Sequence, residues 1–192
     1  GKTPEKAADL LTWESRPLSE IVADMNKVSN NFIAEQTLKH LGAVKYGAPG
    51  STAKGVSAAE EYLSSIGIKR GSYTLENGSG LSEKTRISSN QLVSILVAAY
   101  RDLKIRSPFL ESLSVMGIDG TTKKWRFAPE LTGKIYVKTG TLNSVSTLAG
   151  YAPTPEGRVA AFAILANNLP RGAWPAKEAQ MGVVRAIAGG ER

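Results

Sequence analysis

Residues 134–167 read KIYVKTGTLNSVSTLAGYAPTPEGRVAAFAILAN, and their pattern decides the architecture. Three runs, Lys134 to Thr141, Val145 to Pro153 and Arg158 to Asn167, are separated by turn residues, which predicts three strands. Their connections are too short for a crossover, so the strands form an antiparallel meander. The third run is apolar at both parities from Val159 to Ala166. A strand of that kind is covered on both faces and lies inside its sheet, where it needs two neighbours. The preceding hairpin supplies one. A final helix from about Trp174 to Ile187 can cover a face of the sheet but cannot pair an edge.

Upstream of this meander the apolar period becomes helical. Leu18, Ile21, Val22, Met25 and Val28 mark one face of a helix that begins after Pro17 and runs to about Lys27. A second helix is expected from Asn31 to Leu41, stopped by Gly42, which puts Ser29-Asn30-Asn31 at a helix-to-helix junction. Ser57 with Glu60 three residues on reads as a capping box that starts a third helix, ending near Gly67. The glycine-rich run from Glu76 to Ser82 reads as a tight, shaped loop. From Ser89 to Leu103 the chain is apolar nearly all round, the mark of a helix packed on most sides at the hub of a core. The resulting class is α/β of the α+β kind, an antiparallel sheet flanked by helices.

Composition removes whole classes of chemistry. The 192 residues carry 24 Lys and Arg against 17 Asp and Glu, a formal charge of +7, with 42% apolar and 21% charged residues. That is one domain able to bury a core. No apolar run reaches the ~20 residues of a membrane span. Cysteine is absent and His40 is the only histidine, which excludes disulfides, thiolate nucleophiles and multi-histidine metal centres. No metal and no cofactor are expected, so catalysis would use Ser, Lys, Thr, Asn or carboxylates. His40 reads as a helix C-terminal residue complementing the dipole. The basic residues are scattered, which reads as solvated surface and not as a nucleic-acid site. Gly1 to Lys6 lacks the apolar core of a secretory leader.

Three weak motifs stand out. Lys138-Thr139-Gly140 ends a strand on which Ile135 and Val137 face one way and Tyr136 the other. There a glycine would let a peptide-like ligand lie along an exposed strand, beside a hydroxyl and a fixed positive charge. Ser29-x-Asn31 is common by chance, and its repeat at Ser88-Ser89-Asn90 abuts the apolar helix as an ordinary cap. The S-x-x-K match Ser51-Thr52-Ala53-Lys54 lies among loop signals at Pro49, Gly50 and Gly55, where no rigid helix is expected to hold serine and lysine together.

Taken with Met25 to Glu35 and Asn77-Gly78-Ser79-Gly80-Leu81-Ser82, the run Val137-Lys138-Thr139-Gly140-Thr141-Leu142 gives a whole-chain pattern. It resembles the low-molecular-mass class C penicillin-binding proteins, D-alanyl-D-alanine carboxypeptidases and endopeptidases of the DacB type. The resemblance implies a penicillin-binding, β-lactamase-like transpeptidase fold and a serine acyl-transfer reaction with motifs S-x-x-K, S-x-N and K-T-G. The nucleophile motif precedes S-x-N in that family. Nothing before Ser29 fits it, and Ser51 comes in the wrong order.

Residues 1–192 are therefore expected to be the C-terminal portion of a single penicillin-binding domain, with 1–16 a linker or return segment and the sheet incomplete. The resemblance implies Ser29 as proton relay, Asn31 as a contact to the substrate peptide and Lys138 as the source of positive potential. Thr139, Gly140 and Thr141 would bind the terminal carboxylate, and the Thr141 N–H would serve an oxyanion hole. Expected partners are peptidoglycan stem peptides ending in D-Ala-D-Ala, β-lactams and an N-terminal portion of the same protein carrying S-x-x-K. The expected location is periplasmic or extracytoplasmic, behind an upstream signal peptide. Alone, the chain should be inactive. Leu81 and Leu142 are candidates for the pocket wall. A non-catalytic peptidoglycan-binding module, and a serine β-lactamase or esterase, are the alternatives on the same fold.

Overall fold

The computed structural model describes residues 4–125, 129–170 and 172–189. Its helices are α1 (Leu18–Val28), α2 (Asn31–Tyr46), α3 (Thr52–Ser65), α4 (Ser89–Arg101), α5 (Arg106–Ser112) and α6 (Trp174–Ile187). Its strands are β1 (Ser114–Val115), β2 (Tyr136–Leu142), β3 (Val145–Pro153) and β4 (Val159–Ala166). They form one antiparallel sheet in the order β1-β2-β3-β4.

The meander, the helix after Pro17 and the final helix fall where the sequence period puts them. The sheet separates two apolar layers. On one face Ile135, Val137, Leu148 and Phe162 pack beneath Met181 and Val184 of α6. Burial of each such side chain contributes roughly 1.5–3 kcal/mol. On the other face Tyr151 meets Leu96 of α4 and Leu113, and its hydroxyl donates to the Leu96 carbonyl at 2.7 Å. Burial raises the Tyr151 hydroxyl well above the ordinary tyrosine range. Gln180 of α6 donates to the Ser146 carbonyl at 3.0 Å, which ties the helix to the beginning of β3.

β4 pairs with β3 alone, so among the described residues the most apolar strand has one open edge, as expected of an incomplete sheet in which its second neighbour is missing. Of β4 only Phe162 is buried. The same shortfall marks α4, where Leu96 and Ala99 are buried but Leu92, Val93, Ile95 and Val97 are only partly buried. α4 packs chiefly against β4, β3 and α5. On α1 the apolar stripe is also left open: Leu18 and Val28 are more than half exposed, and the one buried residue is Asn26. Residues 4–17 form no helix or strand, and Leu10, Leu11 and Trp13 are exposed.

Two helix boundaries differ from the sequence reading. α2 runs through Gly42 to Tyr46, because Gly42 is a packing residue and not a stop. It is buried where α2 crosses α3, and a Cβ there would come 2.6 Å from the Gly55 nitrogen. His40 is therefore an exposed mid-helix residue with no helix end to complement. α3 starts at Thr52, capped by the Ser51 hydroxyl accepting the Lys54 N–H at 3.2 Å, which leaves Ser57 inside the helix. The segment read as a loop at 51–54 is thus a helix start.

Candidate active site

The site begins with how α1 stops. Ser29 adopts the left-handed conformation (φ 58°, ψ 51°) that terminates α1, and Asn30 at once caps α2 by accepting the Ile33 N–H at 3.1 Å. A left-handed residue bearing a Cβ costs roughly 1–2 kcal/mol, and glycine is the residue that escapes this. The turn it makes leaves the Ser29 hydroxyl beside β2. There Lys138 Nζ donates to Ser29 Oγ at 2.7 Å and to the Thr139 carbonyl at 2.9 Å.

β1 pairs only with Tyr136 and Val137, so residues 138–142 have no strand partner on that side among the described residues. The Ile135 carbonyl points at β1, where it accepts the Met116 N–H. Peptide groups of an antiparallel strand point alternately to its two sides, so those of Thr139 and Thr141 face the same open side. Thr139 Oγ1 lies 2.8 Å from Thr121 Oγ1. Gly140 sits opposite Thr147, and a Cβ on it would collide with the Thr147 hydroxyl. The absent side chain therefore makes room for the neighbouring strand, a different reason from the ligand clearance read in the sequence.

Together these elements enclose an open groove of about 410 Å³. Ser29, Asn31, Lys138, Thr139, Gly140 and Thr141 all line it, with Leu81 and Leu142. Ser51 and Lys54 do not. The Ser51 oxygen is engaged as a helix cap, and Lys54 Nζ donates to the Gly47 and Pro49 carbonyls. Met25, Asn26 and Ala34, inside the run that carries the resemblance, also line the groove, as do Val145 and Thr147, which belong to no motif.

Burial lowers the Lys138 ammonium below its ordinary range. Among the described residues no carboxylate forms an ion pair with it, so its charge is directed into the groove. The rim loop is held from below: Ser79 N–H donates to Glu35 Oε1 at 3.0 Å, and hydrogen bonding from Ser79 keeps the Glu35 carboxyl below the usual carboxylate range. Among the described residues there is no cluster of metal-ligating side chains.

A groove in which S-x-N and K-T-G residues meet is what the sequence resemblance implies, and comparison with known proteins gives it a family. Residues 1–188 match the model of the D-Ala-D-Ala carboxypeptidase 3 (S13) family. The chain belongs to this family. The D-alanyl-D-alanine carboxypeptidase of Actinomadura sp. is 35% identical, covering 85% of this chain and 31% of its own length. The crystal structure of penicillin binding protein 4 (dacB) from Haemophilus influenzae is 29% identical with a TM-score of 0.76, over 82% of this chain and 35% of that one. The same protein has been solved in complex with a novel β-lactam, at a TM-score of 0.75 and 30% identity over 82% and 36% of the two chains. TLA-1 extended-spectrum β-lactamase, 16% identical with a TM-score of 0.61 over 90% of this chain and 60% of that one, shares the fold.

This S13 family chain thus spans about a third of the length of the curated relatives it matches. Among its described residues no helix is long and apolar enough to cross a membrane.

Proposed function

We propose that this chain supplies two walls of a β-lactam-sensitive site that cleaves peptidoglycan peptides ending in D-Ala-D-Ala through an acyl-enzyme. The observation that carries this reading is the 2.7 Å hydrogen bond from Lys138 to Ser29, made inside a groove bounded by the open edge of the K-T-G strand. An ammonium donating to a serine hydroxyl favours the alkoxide-like character that a proton relay needs. Ser29 passes a proton between nucleophile, base and leaving amine, and Asn31 bonds the substrate peptide group.

An extended peptide laid along residues 138–142 adds a strand to the open edge, and its main-chain groups meet those of Thr139 and Thr141. Lys138 with the two threonine hydroxyls receives the terminal carboxylate, and the Thr141 N–H is one oxyanion donor. The nucleophilic serine and its lysine base come from an S-x-x-K segment of the same protein outside these residues. Similarity to carboxypeptidases of this family, one of them solved with a β-lactam, supports the substrate class and a place outside the cytoplasm.

Fluorescent penicillin provides the test. The 192-residue chain alone should stay unlabelled, and the protein that carries its S-x-x-K segment should be acylated at the serine of that motif. Labelling that maps to Ser29 or Ser51 would overturn the assignment, as would failure of the complete protein to react.

A further inference from the structure

The turn that follows β1, residues 119–121, is tied at both ends to the walls of the groove. Asp119 Oδ2 pairs with Lys27 Nζ at 2.6 Å, two residues before Ser29, and its Oδ1 accepts the Val115 N–H at 2.7 Å. Two residues later Thr121 Oγ1 lies 2.8 Å from Thr139 Oγ1. Between them Gly120 is wedged at φ 59°, where a Cβ would collide with the Ser114 hydroxyl and come 2.9 Å from the Lys27 carbonyl. Contacts thus run in a closed ring from Ser29 through Lys27, Asp119, Thr121, Thr139 and Lys138 back to Ser29.

Within that ring, we propose that Thr121 is a positioning residue that makes Thr139 a hydrogen-bond donor toward the groove. Ser114 is fully buried, accepts the Thr121 N–H at 3.1 Å, and has its own hydroxyl 3.3 Å from Thr121 Oγ1. With Ser114 donating to Thr121, and Thr121 donating to Thr139, the Thr139 oxygen has an acceptor lone pair filled from behind. Its proton is then left for an acceptor in the groove. Successive hydroxyls polarise one another in the same sense, so the outermost one donates more strongly than an isolated threonine. The natural recipient is an anion, and charge-assisted bonds of this kind are the strong ones. This rests on the proposed reading of the groove as a carboxylate-binding site and adds the residue that orients the recognition.

The 192-residue chain allows a test with two independent readouts. In the ligand-free chain, Thr121→Val, which keeps shape and removes the hydroxyl, should release the Thr139 side chain into rotamer averaging, seen in the couplings of its methyl group. Thr121→Ser should keep the wild-type rotamer. The second readout titrates N-acetyl-D-Ala-D-Ala and its C-terminal amide. Thr121→Val should weaken the acid about twentyfold, the worth of one hydrogen bond to a charged group, and the neutral amide by less. Thr121→Ser should restore the acid.

An unaltered Thr139 rotamer in Thr121→Val overturns the proposal, and so does equal weakening of acid and amide, which is what general loosening would give. Should neither dipeptide bind the wild-type chain while Thr139 still responds to Thr121→Val, the positioning stands and the carboxylate reading of the groove fails.

Discussion

Lys138 and Ser29, 109 residues apart in the chain, share a hydrogen bond of 2.7 Å that joins the K-T-G strand to the end of α1. Lys138 is held there at a cost, because burial disfavours its charged form. Its folded pKa lies below its unfolded value, so the unfolded chain binds more protons in the window between them and stability rises with pH across that window.

Lys138→Met should therefore raise the melting temperature at neutral pH and remove this alkaline gain. In the protein carrying its S-x-x-K segment, the same substitution should slow penicillin acylation by about 10²–10³, the scale of losing one preorganised electrostatic donor. Stopped-flow labelling and thermal unfolding measure the two effects. Wild-type acylation should also fall on the alkaline side at a lower pH than an unburied lysine would dictate.

Ser29 separates backbone preference from chemistry. Ser29→Gly should stabilise the chain by about 1 kcal/mol through relief of the left-handed backbone, and Ser29→Ala should not. Both remove the acceptor for Lys138, so both should abolish acylation in the complete protein. Equal melting temperatures for the two variants would contradict the backbone account.

Glu35 gives an acid-side prediction. Its carboxyl is depressed by hydrogen bonding from Ser79, so its contribution is present above the unfolded carboxylate pKa and is lost as pH falls through the lower folded value. Protection of the Ser79 amide, its exchange relative to the free-peptide rate at the same pH, should fall over that acid range. In Glu35→Gln that protection should be lower at neutral pH and should not change over the same range.

Asp119→Ala leaves the Val115 N–H and the Lys27 ammonium each short of a partner, although Lys27 keeps the Leu113 carbonyl at 2.9 Å. A loss of about 1–3 kcal/mol is expected, or roughly 2–4 °C in melting temperature for each kcal/mol in a chain of this size. Asp119→Asn should recover part of it, and differential scanning calorimetry would decide.

Elements with a strong period were legible from sequence: the meander, α6 and α1 emerge where their apolar residues recur. Gly42 misled because glycine signals both a helix stop and a close helix crossing, and only the position of α3 tells the two apart. Ser51 was hidden behind the more orthodox cap pattern of Ser57 and Glu60. The two residues of β1 are too few to carry any pattern. The motif residues of the groove could be named in advance, since Ser29, Asn31 and Lys138 to Thr141 are contiguous runs of characteristic type. Asp119 and Thr121 could not. Asp119-Gly120 announces a turn, but its partners Lys27 and Thr139 lie 92 and 18 residues away, and nothing local points to either.

The contiguity of the sheet with α6 also orders events in time. Every residue from β1 to α6 lies between 114 and 187, so this layer closes through loops far shorter than those by which α1 docks on Ser112 and Asp119, across 86 and 92 residues. Local contacts form early and long loops close late. The strand wall of the groove can thus mature first, with the Ser29 wall arriving last and opening first, and native-state hydrogen exchange should resolve them as two separate cooperative units.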